Sequence, residues 1–240
     1  MIHHFLLISN PFIDSYLQSD ILGKLIFIAL ITSSILSWVI LIQKVQTCRE
    51  AQKNSLQFRN TFQSQRHNPL NLEPQKLKSP FEALYQVLKR YTLEILNKNS
   101  RFHQKDEQTA PSLSEADLDF VQAQLMTGIS NQIKQLEKNL FILSTVVTLA
   151  PFLGLLGTVW GILTTFSEMQ NLSSLGQSAI LSGLSLALAT TVLGLITAIP
   201  ALIGYNYLKN LIRDFQTDME SYSNEMLASV EIQYRRVDKG

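Results

Sequence analysis

Three long stretches of this 240-residue chain contain no Asp, Glu, Lys, Arg or His: Leu25–Ile42, Leu140–Ser167 and Leu172–Leu208. Whole-chain totals hide this, because 20 Lys and Arg stand against 19 Asp and Glu. A helix needs about 20 apolar residues to cross the hydrocarbon core. The first stretch is near that minimum and the other two exceed it, which argues against a soluble globular domain and predicts three membrane spans. Cysteine is also scarce. The single Cys48 excludes an intrachain disulfide, and a buried thiol is favoured over an acylated one. Residues 1–20 hold no Lys or Arg, so the basic start of a cleavable signal peptide is missing and the first span is expected to be retained.

Chemistry-bearing patterns are sparse too. There is no Gly-rich phosphate loop, no metal-spaced Cys/His set and no His–carboxylate pair at a useful spacing. No enzyme activity, cofactor or metal is expected. His3 and His4 are adjacent on the external tail and His67 and His103 lie in polar loops; all four read as solvated. A formal net charge of +1 gives no reason to expect nucleic acid. No solenoid-length repeat is visible.

What is present is a one-sided distribution of basic residues. Gln43–Asn139 holds 14 Lys and Arg and Asn206–Gly240 holds 5, whereas Glu168–Ser178 holds none. Basic segments stay in the cytoplasm. The predicted order is an external tail over 1–20, a first span over 21–43 and a helical cytoplasmic domain over 44–139. A second span over 140–167, a short external loop over 168–178, a third span over 179–205 and a cytoplasmic helical tail over 206–240 follow. Lys24 snorkels to the outer interface.

The polar half is helical in pattern. No Gly or Pro occurs from Gln43 to Asn68, and Pro69, Pro74 and Pro80 then break the run. Leu84, Val87, Leu88, Tyr91 and Ile95 predict an amphipathic helix over Phe81–Leu96, with a loop over Asn97–Pro111. Ser112 and Glu115 suggest a capping box. From there an apolar stripe, Leu118 to Leu140, runs into the second span, and a similar one carries the third span's helix from Leu208 to Tyr234. Two helices of about 50 residues, about 75 Å long, are predicted.

Within the spans, small residues mark where helices approach closely in lipid. Gly154, Gly157, Thr158, Gly161 and Thr165 share one stripe of the second span; Gly183, Ala187, Thr190, Thr191, Gly194, Ala198 and Ala201 share one in the third. Either a tight hairpin or a shared surface facing another molecule follows. Thr158, Thr164, Thr165, Thr190, Thr191 and Thr197 bring hydroxyls into the spans. Each could bond back to its own helix, while Thr158 and Thr191 could line a polar path. Pro151 and Pro200 each remove a helical hydrogen bond, for a fixed bend or a hinge. Proton relays place a carboxylate or histidine inside the membrane. None lies in these spans, so a titrating group has to come from another subunit.

The run APFLGLLGTVWGILTTF at Ala150–Phe166 resembles the TolQ/ExbB family, relatives of the flagellar stator subunit MotA. GLSLALATTVLGLITAIPAL at Gly183–Leu202 and SWVILIQK at Ser37–Lys44 agree, and the TolQ branch is the nearer match. The resemblance implies an all-α integral membrane protein with two long helices extending into the cytoplasm, assembled as a pentamer around a central pore. It implies a single-span TolR- or ExbD-like partner whose membrane aspartate carries the proton. A TolA- or TonB-like protein would then pass the motion to the outer membrane. By motif position, Thr158 and Thr191 match pore-facing threonines of the family. One departure stands out: where the family commonly has a third-span glutamate, this chain has Leu186. The rival functions are an ExbB-like subunit powering uptake and a non-conducting scaffold; a transporter is disfavoured because no inverted repeat appears.

Overall fold

The computed structural model describes residues 11–65, 68–72, 79–102, 112–171 and 176–235. Six helices are seen among the described residues: α1 (Pro11–Gln18), α2 (Ile21–Ser64), α3 (Pro80–Phe102), α4 (Glu115–Glu137), α5 (Leu140–Asn171) and α6 (Gly176–Tyr234). Among the described residues the only bridge outside them joins Leu113 to Arg235, with the Leu113 amide donating to the Tyr234 carbonyl at 2.8 Å. Three helices among the described residues are long and apolar enough to cross a membrane, at Ile21–Ser64, Leu140–Ser167 and Gly183–Tyr234. The four histidines singled out above lie outside the described residues.

The chain divides into two compact units. The first comprises Met1–Gln43 and Asn139–Tyr207, the second Lys44–Lys138 and Leu208–Gly240, so α2 and α6 supply residues to both. In the first unit Asp20 starts α2, its carboxylate accepting the Gly23 amide at 2.8 Å. This satisfies one of the donors that a helix start leaves open. Tyr16 meets Phe27 edge-on with ring centroids 5.9 Å apart, tying α1 to α2.

The second unit has an aromatic core. Phe58 and Phe62 of α2, Phe81 and Tyr85 of α3 and Phe215 and Tyr222 of α6 gather there, with Phe81 stacked on Tyr222 at 4.3 Å. Full burial of such a side chain contributes about 1.5–3 kcal/mol. Pro80 opens α3, where its missing amide costs nothing. Leu84 and Leu88 on α3, and Leu118, Val121, Leu125 and Ile129 on α4, are buried at the predicted helical spacing. Lys44 donates to the Leu136 carbonyl at 2.9 Å, near the C-terminus of α4. Cys48 is buried, which pushes its thiol pKa up despite the pull of Lys44.

Three sequence expectations need correction. Helix α3 continues to Phe102, so Asn97–Phe102 is helical rather than loop. The capping box is formed by Ser114 and Asp117 instead of Ser112 and Glu115, because Leu113 is held extended against Tyr234. Finally, the stripe entering the second span does not stay one helix. The chain breaks at Lys138 and Asn139, where Asn139 takes φ 68°, a conformation asparagine tolerates better than most residues. Helix α6, by contrast, runs unbroken for 59 residues.

Candidate functional site

The small-residue faces of α5 and α6 meet each other along an antiparallel seam in the first unit. Gly161 lies against Gly183 and Ala187, Gly157 against Thr190, Gly154 against Thr190 and Thr191, and Gly194 against Ala150. A β-carbon on Gly157 would fall 2.6 Å from the Thr190 β-carbon, and one on Gly194 would fall 2.6 Å from the Ala150 carbonyl oxygen. Only glycine permits this approach. In lipid, where burying apolar surface against another helix gains little, such contact supplies much of the pairing energy. Gly183 faces the Thr165 hydroxyl in the same way.

The threonines divide by where their hydroxyls go. Thr158 donates to Leu155 at 2.6 Å, Thr164 to Gly161 at 3.0 Å and Thr165 to Gly161 at 2.7 Å, all within α5. Thr190, fully buried, donates to Ala187 in its own helix at 2.8 Å. Thr191 reaches across the seam, donating to the Gly154 carbonyl at 3.1 Å, and the Thr190 hydroxyl also approaches that carbonyl at 3.5 Å. Thr158 and Thr191 therefore lie on facing helices with different roles, the first bonded locally and the second bridging. Thr197 is buried with no partner for its hydroxyl.

Pro151 and Pro200 sit inside α5 and α6, which continue past them. Each withholds an amide donor from the carbonyl four residues earlier, Val147 and Ile196 respectively. Leu186 lies in α6, with its side chain outside the described ones. Among the described residues no three His, Cys, Asp or Glu side chains gather as metal ligands.

One contact had no sequence signal. The Trp160 indole donates to the Asp20 carboxylate at 2.7 Å, joining residues 140 positions apart. Asp20 followed by Gly23 reads as a helix start, but nothing local announces Trp160. On the other face of α6, Gly204 receives Leu41 of α2, whose Cδ1 would lie 2.5 Å from an added β-carbon.

Three apolar helices, two of them joined by a glycine-lined seam free of ionisable groups, define an all-helical membrane protein whose described spans carry no acid at that seam. The chain belongs to the MotA/TolQ/ExbB proton channel family, whose model matches residues 94–221. The Tol-Pal system protein TolQ of Haemophilus influenzae is 28% identical over 214 residues, covering 89% of this chain and 91% of that protein. TolQ of Pseudomonas aeruginosa is also 28% identical, over 79% of each chain. The biopolymer transport protein ExbB of Aquifex aeolicus is 45% identical over 98 residues, 41% of this chain and 66% of that protein.

Proposed function

We propose that the chain is a TolQ-type subunit of a motor in the bacterial inner membrane, driven by the proton-motive force. The observation that carries this is the pairing of near-full-length similarity to TolQ with an α5–α6 seam that has hydroxyls but no acid. The chain supplies the wall, and a single-span TolR- or ExbD-like helix supplies the carboxylate. Five copies surround that guest, with the N-terminus outside and the basic segments in the cytoplasm. Thr158 and Thr191 face the proton path.

A carboxylate taken from water into such a wall prefers its neutral form. Protonation therefore changes which wall contact is favourable, and a proton gradient gives the change a direction. Each charge crossing the potential supplies about 2.3 kcal/mol per 100 mV. A TolA- or TonB-like protein passes the motion outward, supporting envelope integrity and cell division. With Leu186 at the place of the family glutamate, the wall adds no second acid.

The higher local identity to ExbB supports a second reading, a subunit that energises uptake. Expression in cells lacking TolQ and in cells lacking ExbB, each with the matching single-span partner, separates the two. Restored detergent resistance supports the Tol reading; restored uptake alone replaces it with the other. In liposomes, proton flux should require the single-span partner. Flux from this chain alone, or none with the partner present, overturns the motor proposal.

A further inference from the structure

The apolar part of α5 is longer than a bilayer is thick. Leu140–Ser167 runs for 28 residues, which is about 42 Å at the helical rise, against a hydrocarbon core of about 30 Å. Tilt alone would have to reach about 45°, past the upper limit of about 40° that membrane helices show. Part of the helix therefore leaves the core. Glu137 and Lys138 stand immediately before its start and leave no slack there, so the excess lies at the other end.

Asp20 and Trp160 show where the core stops. The Asp20 carboxylate accepts the Gly23 amide at 2.8 Å and the Trp160 indole at 2.7 Å, and neither donor carries a charge to offset its own. A carboxylate inside hydrocarbon is costly. Tryptophan is enriched where hydrocarbon meets water, with its ring apolar and its N–H wet. The bond sets the start of α2 level with Trp160, and Gly161 beside it lies against Ala187 of α6. From that level the first unit extends to Gln43 along α2, to Asn139 along α5 and to Tyr207 along α6. Each length comes to about 30–35 Å. Lys44, Lys138 and Lys209 stand just beyond those ends.

We propose that the Asp20–Trp160 pair lies at the edge of the hydrocarbon core, and that the α5 turns past it lie in the phospholipid headgroup layer. Ile162, Leu163 and Phe166 are exposed there. Phe166 is about 9 Å past Trp160 along the axis, and its side chain leans back toward the helix start, into a layer about 5–7 Å deep. Thr164 and Thr165 then fall outside the core, and Thr158 is its outermost α5 hydroxyl. The placement rests on contacts inside the first unit. It holds whether or not the chain is part of a proton motor, and whichever way it faces.

Depth-dependent quenching of the full chain in lipid tests this. Trp38→Phe leaves Trp160 as the sole tryptophan. Lipid brominated at the glycerol end of its acyl chains should quench it more than lipid brominated near the chain ends. If the core reached Ser167, Trp160 would lie about 10 Å beneath the edge; the deep bromines would then quench more, and the proposal fails. A nitroxide at Phe166→Cys, with Cys48→Ala removing the native thiol, gives a second sign that needs no tryptophan. It should respond more to a water-soluble nickel chelate than to oxygen, and a label at the exposed, mid-span Phe152 should show the reverse. A Phe166 label that follows the Phe152 one, or that a second copy screens from both reagents, overturns the assignment.

Discussion

The two units are built from some of the same helices yet present different surfaces. In the first, Ile35, Trp38, Phe152, Val159 and Ile203 are exposed while small residues such as Ala150, Ala187 and Ala201 are buried. In the second, Phe58, Tyr85, Leu88, Met219 and Tyr222 are buried, and charged residues such as Arg90 and Asp218 face outward. The solvent accounts for the inversion. Where water surrounds the chain, large apolar side chains gain by leaving it. Where lipid does, apolar side chains gain nothing by moving inward, and close backbone approach with satisfied hydroxyls decides the contact.

The sharpest way to break this comparison is to add side-chain volume to a glycine in each unit. Gly157→Leu should prevent α5 and α6 from closing, since even a β-carbon there falls on Thr190. The loss should exceed the about 1–3 kcal/mol usual for overpacking, and little folded protein should be recovered. Gly128→Ala in α4 meets the flexible end of Leu84 at 3.1 Å and Val87 at an ordinary contact distance of 3.6 Å. It should be neutral or stabilise by up to about 1 kcal/mol through helix propensity. Equal thermal shifts for the two variants in detergent would dissolve the distinction.

Truncation should show the reverse sensitivity. Phe58→Ala leaves a cavity among Tyr85, Tyr222 and their neighbours and should cost about 3–5 kcal/mol. Both tryptophans, Trp38 and Trp160, belong to the first unit. Their fluorescence should therefore melt close to the wild-type temperature in this variant, while near-ultraviolet dichroism of the tyrosines reports early loss of the aromatic core. A joint collapse of both signals would mean that the two units unfold as one.

The spans were legible because charge is so costly in lipid that its absence over 28 residues at Leu140–Ser167 marks a helix shaped by hydrocarbon rather than water. The glycine faces were legible for a related reason, their spacing of three or four residues. Other features depended on contacts distant in sequence. Ser112 with Glu115 and Ser114 with Asp117 both fit a capping pattern, and the choice is made by Leu113 bonding to Tyr234. The break at Asn139 left no periodic trace, since asparagine is compatible with either conformation. Nor could spacing tell that Thr191 bridges to Gly154 while Thr158 bonds within α5. Both have the same side chain on the same kind of face, and only the placement of the neighbouring carbonyl separates them.

The smallest effect concerns the start of α4, where water-side electrostatics operate and lipid packing plays no part. Partial burial works against the charge on Asp117. The Ser114 amide and hydroxyl, the Asn99 side-chain amide and nearby Lys98 outweigh it and hold the carboxyl below its ordinary value. A carboxylate whose pKa is lowered by folding stabilises the fold above its unfolded value, about 3.9, and loses that contribution as pH falls through the lowered value. The second unit should therefore weaken below about pH 4, with tryptophan emission from the first unit less affected. Ser114→Ala removes the cap and one of the bonds that lower the pKa, leaving the backbone amide bond, so it should cost about 1 kcal/mol at neutral pH and soften the acid limb. An acid limb as steep as the wild type's in that variant would show that Asp117 is not the group responsible.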